Sequence, residues 1–135
     1  MGFLSGMKIE KLNKEQCIVS VPFKWLNKNP FKSTFWAVLG MAGEMSTAAL
    51  ILQYTYKQNP SFSTLPVKCE AHFNKKAVGI TNLICNDGKM VKEKLKEATE
   101  TKKPVVIKAS TQGIDKNSNI ICEFKFTWSV KVRES

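Results

Sequence analysis

The chain has 135 residues, enough for one domain that buries roughly two thirds of the surface its unfolded form exposes. Hydrophobic residues make up 43% and charged ones 24%, which excludes a disordered or fibrous chain and sets one packed core as the expectation. The formal net charge of +10 comes from twenty Lys, Arg133 and eleven acids. Such a surface favours polyanions, but bidentate reading of bases and phosphates is arginine chemistry. One Arg, with Lys spread over every segment, argues against a nucleic-acid binder and for solvated lysine faces.

The amino end does not combine a basic region, an apolar run and a cleavage site, and MGFLSG lacks the Ser or Thr that myristoylation uses at position 6. A cytoplasmic protein is therefore expected. From Gln16 to Trp25, Cys17, Val19, Val21, Phe23 and Trp25 alternate, with Ser20, Pro22 and Lys24 between them, the pattern of a strand with one buried face. Pro22 sends that strand to an edge or a bulge. The stretch NKNPFKS, residues 27–33, breaks the pattern, and Ser33 or Thr34 can cap a helix starting there. From about Thr34 to Tyr56 no period of two survives and the run is apolar nearly all round, so it reads as one long central helix enclosed on most sides. Gly40, Gly43 and Thr47 make a stripe on it that would admit a neighbouring backbone. Residues 35–52 barely suffice to cross a bilayer and contain Glu44, Ser46 and Thr47, so a membrane span is not expected.

After the turn QNPSFST comes the strand LPVKCEAHF, with His72 on its polar side. In DGKMVKEKLKEATE, Val91, Leu95 and Ala98 recur at helical spacing, with Lys89 to Glu93 and Lys96 to Glu100 as i,i+4 pairs: an amphipathic surface helix. Pro104 ends it. VVIKAS and IICEFKFTWSVKV, joined across DKNSN, then close the chain as a hairpin. Cys17, Cys69, Cys85 and Cys122 contain no C-x-x-C spacing and have only His72 beside them, so they read as reduced, small core or half-buried residues, with no metal or cofactor expected. The order strand, long helix, strand, surface helix, strand, strand predicts an α+β domain over 1–135, its antiparallel sheet wrapped around the long helix.

Within that helix Glu44 is the one carboxylate. Gly40, Met41, Thr47 and Ala48 lie one turn from it and none is charged. Enclosed there, its carboxyl would be pushed up by desolvation into the range a general base or nucleophile uses. Pairing to a lysine from elsewhere is the structural alternative.

The segments WLNKNP, TFWAVLGMAGEMSTAA, LPVKCEAHF and DKNSNIICEFKFTWSVKV, in this order and spacing, resemble the hotdog-fold thioesterase superfamily, in particular its small bacterial thioesterase-like proteins. The resemblance spans residues 8–132. In that family a His-Gly-Gly-type stretch opens the central helix, an acid follows two turns later, and a Gln or Asn precedes both. Glu44 falls at the acid, Phe35 at the His, Trp36 and Ala37 at the glycines, and Asn29 at the Gln or Asn. The Ser or Thr found past the acid is Ala48 here, with Thr47 beside it. The resemblance implies that Glu44 acts as base or nucleophile on an acyl-CoA or acyl-carrier thioester. An amide of Trp36 or Ala37 polarises the carbonyl, and Asn29 orients the carbonyl or water. Phe35, Met41, Thr47 and Ala48 would border the substrate, and Lys28 and Lys32, with Lys24, would meet the phosphates of CoA. A homodimer or tetramer is implied as well. Phe35 and Trp36 standing for His and Gly raise a second expectation, a non-catalytic hotdog module that holds an acyl ligand or a protein partner.

Overall fold

A computed structural model of the chain describes residues 6–23, 36–58 and 61–133. Its strands are β1 (Lys8–Leu12), β2 (Cys17–Val21), β3 (Phe62–Phe73), β4 (Thr81–Cys85), β5 (Val105–Ile114) and β6 (Ile120–Val132). They form one antiparallel sheet in the order β1-β2-β4-β5-β6-β3. The helices among the described residues are α1 (Trp36–Thr55), of 20 residues, and α2 (Gly88–Thr101). The expected α+β class is met.

Alternation builds the core. On β6, Cys122, Phe124, Phe126, Trp128, Val130 and Val132 are buried while Lys125 and Lys131 between them are exposed. On β5, Val105, Ile107, Ala109 and Thr111 do the same. Helix α1 packs on this face against β2, β4, β5 and β6, burying Val38, Leu39, Ala42, Gly43, Ser46, Thr47, Leu50 and Ile51. Each large aliphatic side chain removed from water in this way contributes about 1.5–3 kcal/mol. The glycine stripe admits an aromatic ring where a backbone was expected. A Cβ on Gly40 would stand 3.6 Å from the Phe124 ring, and one on Gly43 would stand 3.1 Å from it and 3.2 Å from Thr111.

Three expectations are corrected. Helix α1 is covered on one side only: Trp36, Glu44 and Leu52 are exposed, and Ala37, Met41, Met45 and Ala48 are half-buried. Its apolar composition hid that asymmetry, because Ala and Met suit either a covered or a half-covered face. Next, β2 is an interior strand between β1 and β4 and stops at Val21. Pro22, lacking an N–H for the ladder, ends the strand without sending it to the edge. Finally, β1 and β4 were missed. KIEKL is exposed along its whole length and carries no apolar face to read, while TNLIC is too short to stand out.

The outermost position opposite β1 belongs to β3, which begins at Phe62 and slips register between Pro66 and Lys68. Proline at such a bulged edge costs the sheet little. The β5–β6 turn is tied by Asp115, whose carboxylate accepts from the Asn117 and Asn119 amides at 2.9 Å each and from Asn119 Nδ2 at 3.1 Å. Ser118 takes φ 64° there. Helix α2 is amphipathic as expected, with Val91, Leu95 and Ala98 inward and Lys96 paired to Glu100 at 3.9 Å. Its first residue is clamped. The Gly88 N–H donates to the Glu15 carbonyl at 3.0 Å, and any Cβ at Gly88 would run into the Lys14 carbonyl oxygen.

Candidate active site

Ala37, Met41, Glu44 and Ala48 recur at three- and four-residue spacing, so they share one stripe of α1, the stripe turned away from the covered face. Four residues singled out from the sequence are thereby brought together. The enclosure expected for Glu44 is absent from the described chain: its side chain is exposed, and no lysine among the described residues lies within ion-pair distance of it. The sheet covers the opposite side of the helix, and the small residues flanking Glu44 cannot cover it either.

Thr47 departs from the group. It is fully buried, turned to the sheet, and accepts the Trp128 Nε1–H at 3.1 Å while donating to the Glu44 carbonyl at 2.9 Å. Ser46 beside it donates to the Gly43 carbonyl at 2.6 Å and shares a hydrogen bond of 2.9 Å with the Thr111 hydroxyl. Two hydroxyls that back-bond to their own helix thus tie the Glu44 turn to β5 and β6. The Thr47 hydroxyl is engaged inside the core, which sets Thr47 apart from the stripe that holds Glu44.

Strand β3 comes within electrostatic reach of Glu44 at Cys69. Cys69, Ala71 and Phe73 are the register partners of Phe126, Phe124 and Cys122, so they share the face on which α1 packs. All three remain exposed, because β3 is outermost. Phe73 meets Phe124 edge-on at 5.6 Å and 86°, and Phe124 stacks on Phe126 at 5.9 Å, an aromatic run from the sheet edge into the core. The Cys69 thiol is held above its ordinary value of 9.0 by partial burial first, then by the negative charges of Glu44 and Glu70. Glu44 and Cys69 are therefore electrostatic neighbours. Sequence reasoning did not single out Cys69. Its signal was the alternation of LPVKCEAHF, which places Cys69 on the inward row once β3 is paired with β6.

Asn29 and Phe35, with Lys24, Lys28 and Lys32, lie outside the described residues. Trp36 opens α1 and is 61% exposed, with Ala37 half-buried after it. No cluster of three or more His, Cys, Asp or Glu suited to a metal occurs among the described residues. His72 is exposed, as expected of the polar side of its strand. A cavity of about 500 Å³ lies on the other face of the sheet, against Glu70, His72, Asp87, Gln112, Glu123 and Lys125, away from Glu44. No described helix is long and apolar enough to cross a membrane.

No family model matches the sequence, and no curated protein is detectably similar to it. Solved structures are. A Pseudomonas aeruginosa protein of unknown function, described as a "probable thioesterase", superposes with a TM-score of 0.84 at 19% identity, over 98% of this chain and 89% of its own. A Chlorobaculum tepidum protein of unknown function gives 0.81 at 15% identity, over 98% and 86%. A thioesterase from Haemophilus influenzae gives 0.70 at 11% identity, over 98% and 84%. At such identities the likeness establishes the fold. The expected resemblance to hotdog-type thioesterases is met at that level.

Proposed function

We propose that this single-domain chain hydrolyses the thioester of an acyl-CoA or acyl carrier. Glu44 takes the proton of a water attacking the carbonyl, or itself attacks it. An amide of the first turn of α1, at Ala37 or Trp36, faces the developing oxyanion, where the helix dipole adds to the donor. Asn29 orients the carbonyl or the water, and Phe35, Met41 and Ala48 border the acyl group. The C–S bond then breaks and the thiol leaves, its CoA phosphates met by Lys28 and Lys32. The observation that carries this reading is the shared stripe: the only carboxylate of α1 stands open beside Ala37, Met41 and Ala48, on a fold that named thioesterases also have.

The same stripe and the exposed row of β3 support a homodimer, since an apolar helix face and an unpaired sheet edge both invite a second copy. Hydrolysis of a panel of acyl-CoAs by wild type and Glu44→Gln tests the proposal. A fall of about 10²-fold or more is expected if Glu44 performs proton transfer. Equal rates would remove it from the mechanism. A second reading is favoured by Trp36, a large and 61% exposed side chain at the start of α1 where the resemblance places a glycine: a module that binds an acyl ligand or a protein without turnover. Thermal stabilisation by acyl-CoA with no hydrolysis distinguishes it.

A further inference from the structure

Cys17 and Cys85 have no part in the candidate site at Glu44. Cys17 opens β2, Cys85 closes β4, and the antiparallel register sets them directly opposite each other. Directly opposed residues of an antiparallel pair have Cα atoms about 4.5–5.5 Å apart, inside the ~4.4–6.8 Å that a disulfide spans. Both side chains are fully buried and, as register partners, project from the same face of the sheet. The two strand ends are also clamped around them. Gln16 Nε2 donates to Asn86 Oδ1 at 2.7 Å, and the Gly88 N–H holds the Glu15 carbonyl at 3.0 Å in a contact with no room for a Cβ at Gly88. The other two cysteines have no such neighbour. Cys122 is opposed by Gly113 and Phe73, and Cys69 by Phe126.

We propose that Cys17 and Cys85 form an oxidative modification site, converted by a hydroperoxide to a cross-strand disulfide that staples β2 to β4. One thiolate attacks the outer peroxide oxygen, the O–O bond breaks, and the alkoxide leaves as the alcohol after taking up a proton. The second thiol displaces water from the resulting sulfenic acid as the S–S bond forms. Two thiols lose two electrons and two protons, and the peroxide is reduced to alcohol and water. Burial pushes Cys17 up to about 11 and Cys85 up to about 12, so thiolate is scarce at neutral pH and the reaction is slow until the β1–β2 hairpin opens or the pH rises. Strand β1, exposed along its length, is the side from which it opens. The closed loop joins residues far apart in the chain, so the oxidised form gains stability from a restricted unfolded state.

The test uses the full chain with Cys69→Ser, which removes the exposed thiol. It is treated with hydrogen peroxide at mildly alkaline pH, alkylated and mapped without reduction. The expected product has lost two hydrogens, contains one linked peptide joining Cys17 to Cys85, keeps Cys122 reduced, and melts several degrees higher until dithiothreitol returns it to the starting Tm. Adding Cys17→Ser abolishes both the link and the reversible rise. Sulfinic acid at Cys17 or Cys85 without a link overturns the proposal. So does a link through Cys122, or recovery of both thiols intact under conditions where the β2 amides exchange.

Discussion

The indole N–H of Trp128 ends on the hydroxyl of Thr47, and that hydroxyl donates its own hydrogen bond to the backbone carbonyl of Glu44. Strand β6 thereby fixes the height of the helix turn that presents the carboxylate. Thr47→Val keeps the shape but strands a buried indole donor, at an expected cost of about 1–3 kcal/mol. Adding Trp128→Phe to that variant should cost less than Trp128→Phe alone, because the stranded donor is gone. Urea denaturation of the four proteins measures the difference, and additive losses would deny the bond any energetic role.

The neighbourhood of Glu44 and Cys69 can be read from a reaction rate. Iodoacetamide should label Cys69 alone in the folded protein, the other three thiols being buried. Labelling should lag that of an ordinary thiol at neutral pH, since thiolate is the reactive form. Glu44→Gln removes one of the charges that hold the thiol up, so the pH profile of labelling should move to lower pH. An unmoved profile would separate the two residues.

Two glycines should answer alanine in opposite directions. A methyl at Gly40 meets only ordinary contact with Phe124 and improves helix propensity, for a gain of up to about 1 kcal/mol. At Gly88 it meets the Lys14 carbonyl and the Glu15 backbone, which are not side-chain ends that can swing aside. A loss of about 1–3 kcal/mol is expected there. Thermal unfolding of both variants beside wild type checks the contrast.

Alkali should destabilise the fold through its buried thiols. Cys17 is raised to about 11, and Cys85 and Cys122 to about 12, each by burial first. A group whose folded value lies above its unfolded value of about 9.0 stabilises fully below that value and loses its contribution as pH climbs toward the folded one. Between pH 9 and 11 stability should therefore fall by on the order of 1 kcal/mol per pH unit per thiol. Denaturation midpoints across that window measure the slope, and Cys122→Ala should flatten it.

Much of the architecture could be read from alternation. IICEFKFTWSVKV announces its buried face residue by residue, and Val91, Leu95 and Ala98 do so for α2. What alternation cannot report is which strands stand next to each other. Pro22 suggests an edge or a bulge but marks a strand end, and β3, one of the two edges with β1, has the same inward apolar row as an interior strand. For the site, the spacing of Ala37, Met41, Glu44 and Ala48 was legible as one helix stripe, whereas its exposure was not, because composition says nothing of where the sheet stops. Cys69 and the Trp128–Thr47 bond were invisible for a further reason. Each depends on a contact between segments distant in sequence, and such contacts exist only once the register is known.

The Asp115 knot has a kinetic side. A carboxylate that gathers three N–H groups from the next four residues organises its turn with almost no loop to close, so β5 and β6 can zip from that point outward before any distant strand arrives. The pairing of β3 with β6 joins segments on opposite sides of α2, and must wait for a much longer closure. The strand that carries Cys69 is thus the late arrival. Substitutions along it should mainly hasten unfolding, whereas loosening the knot should mainly slow folding.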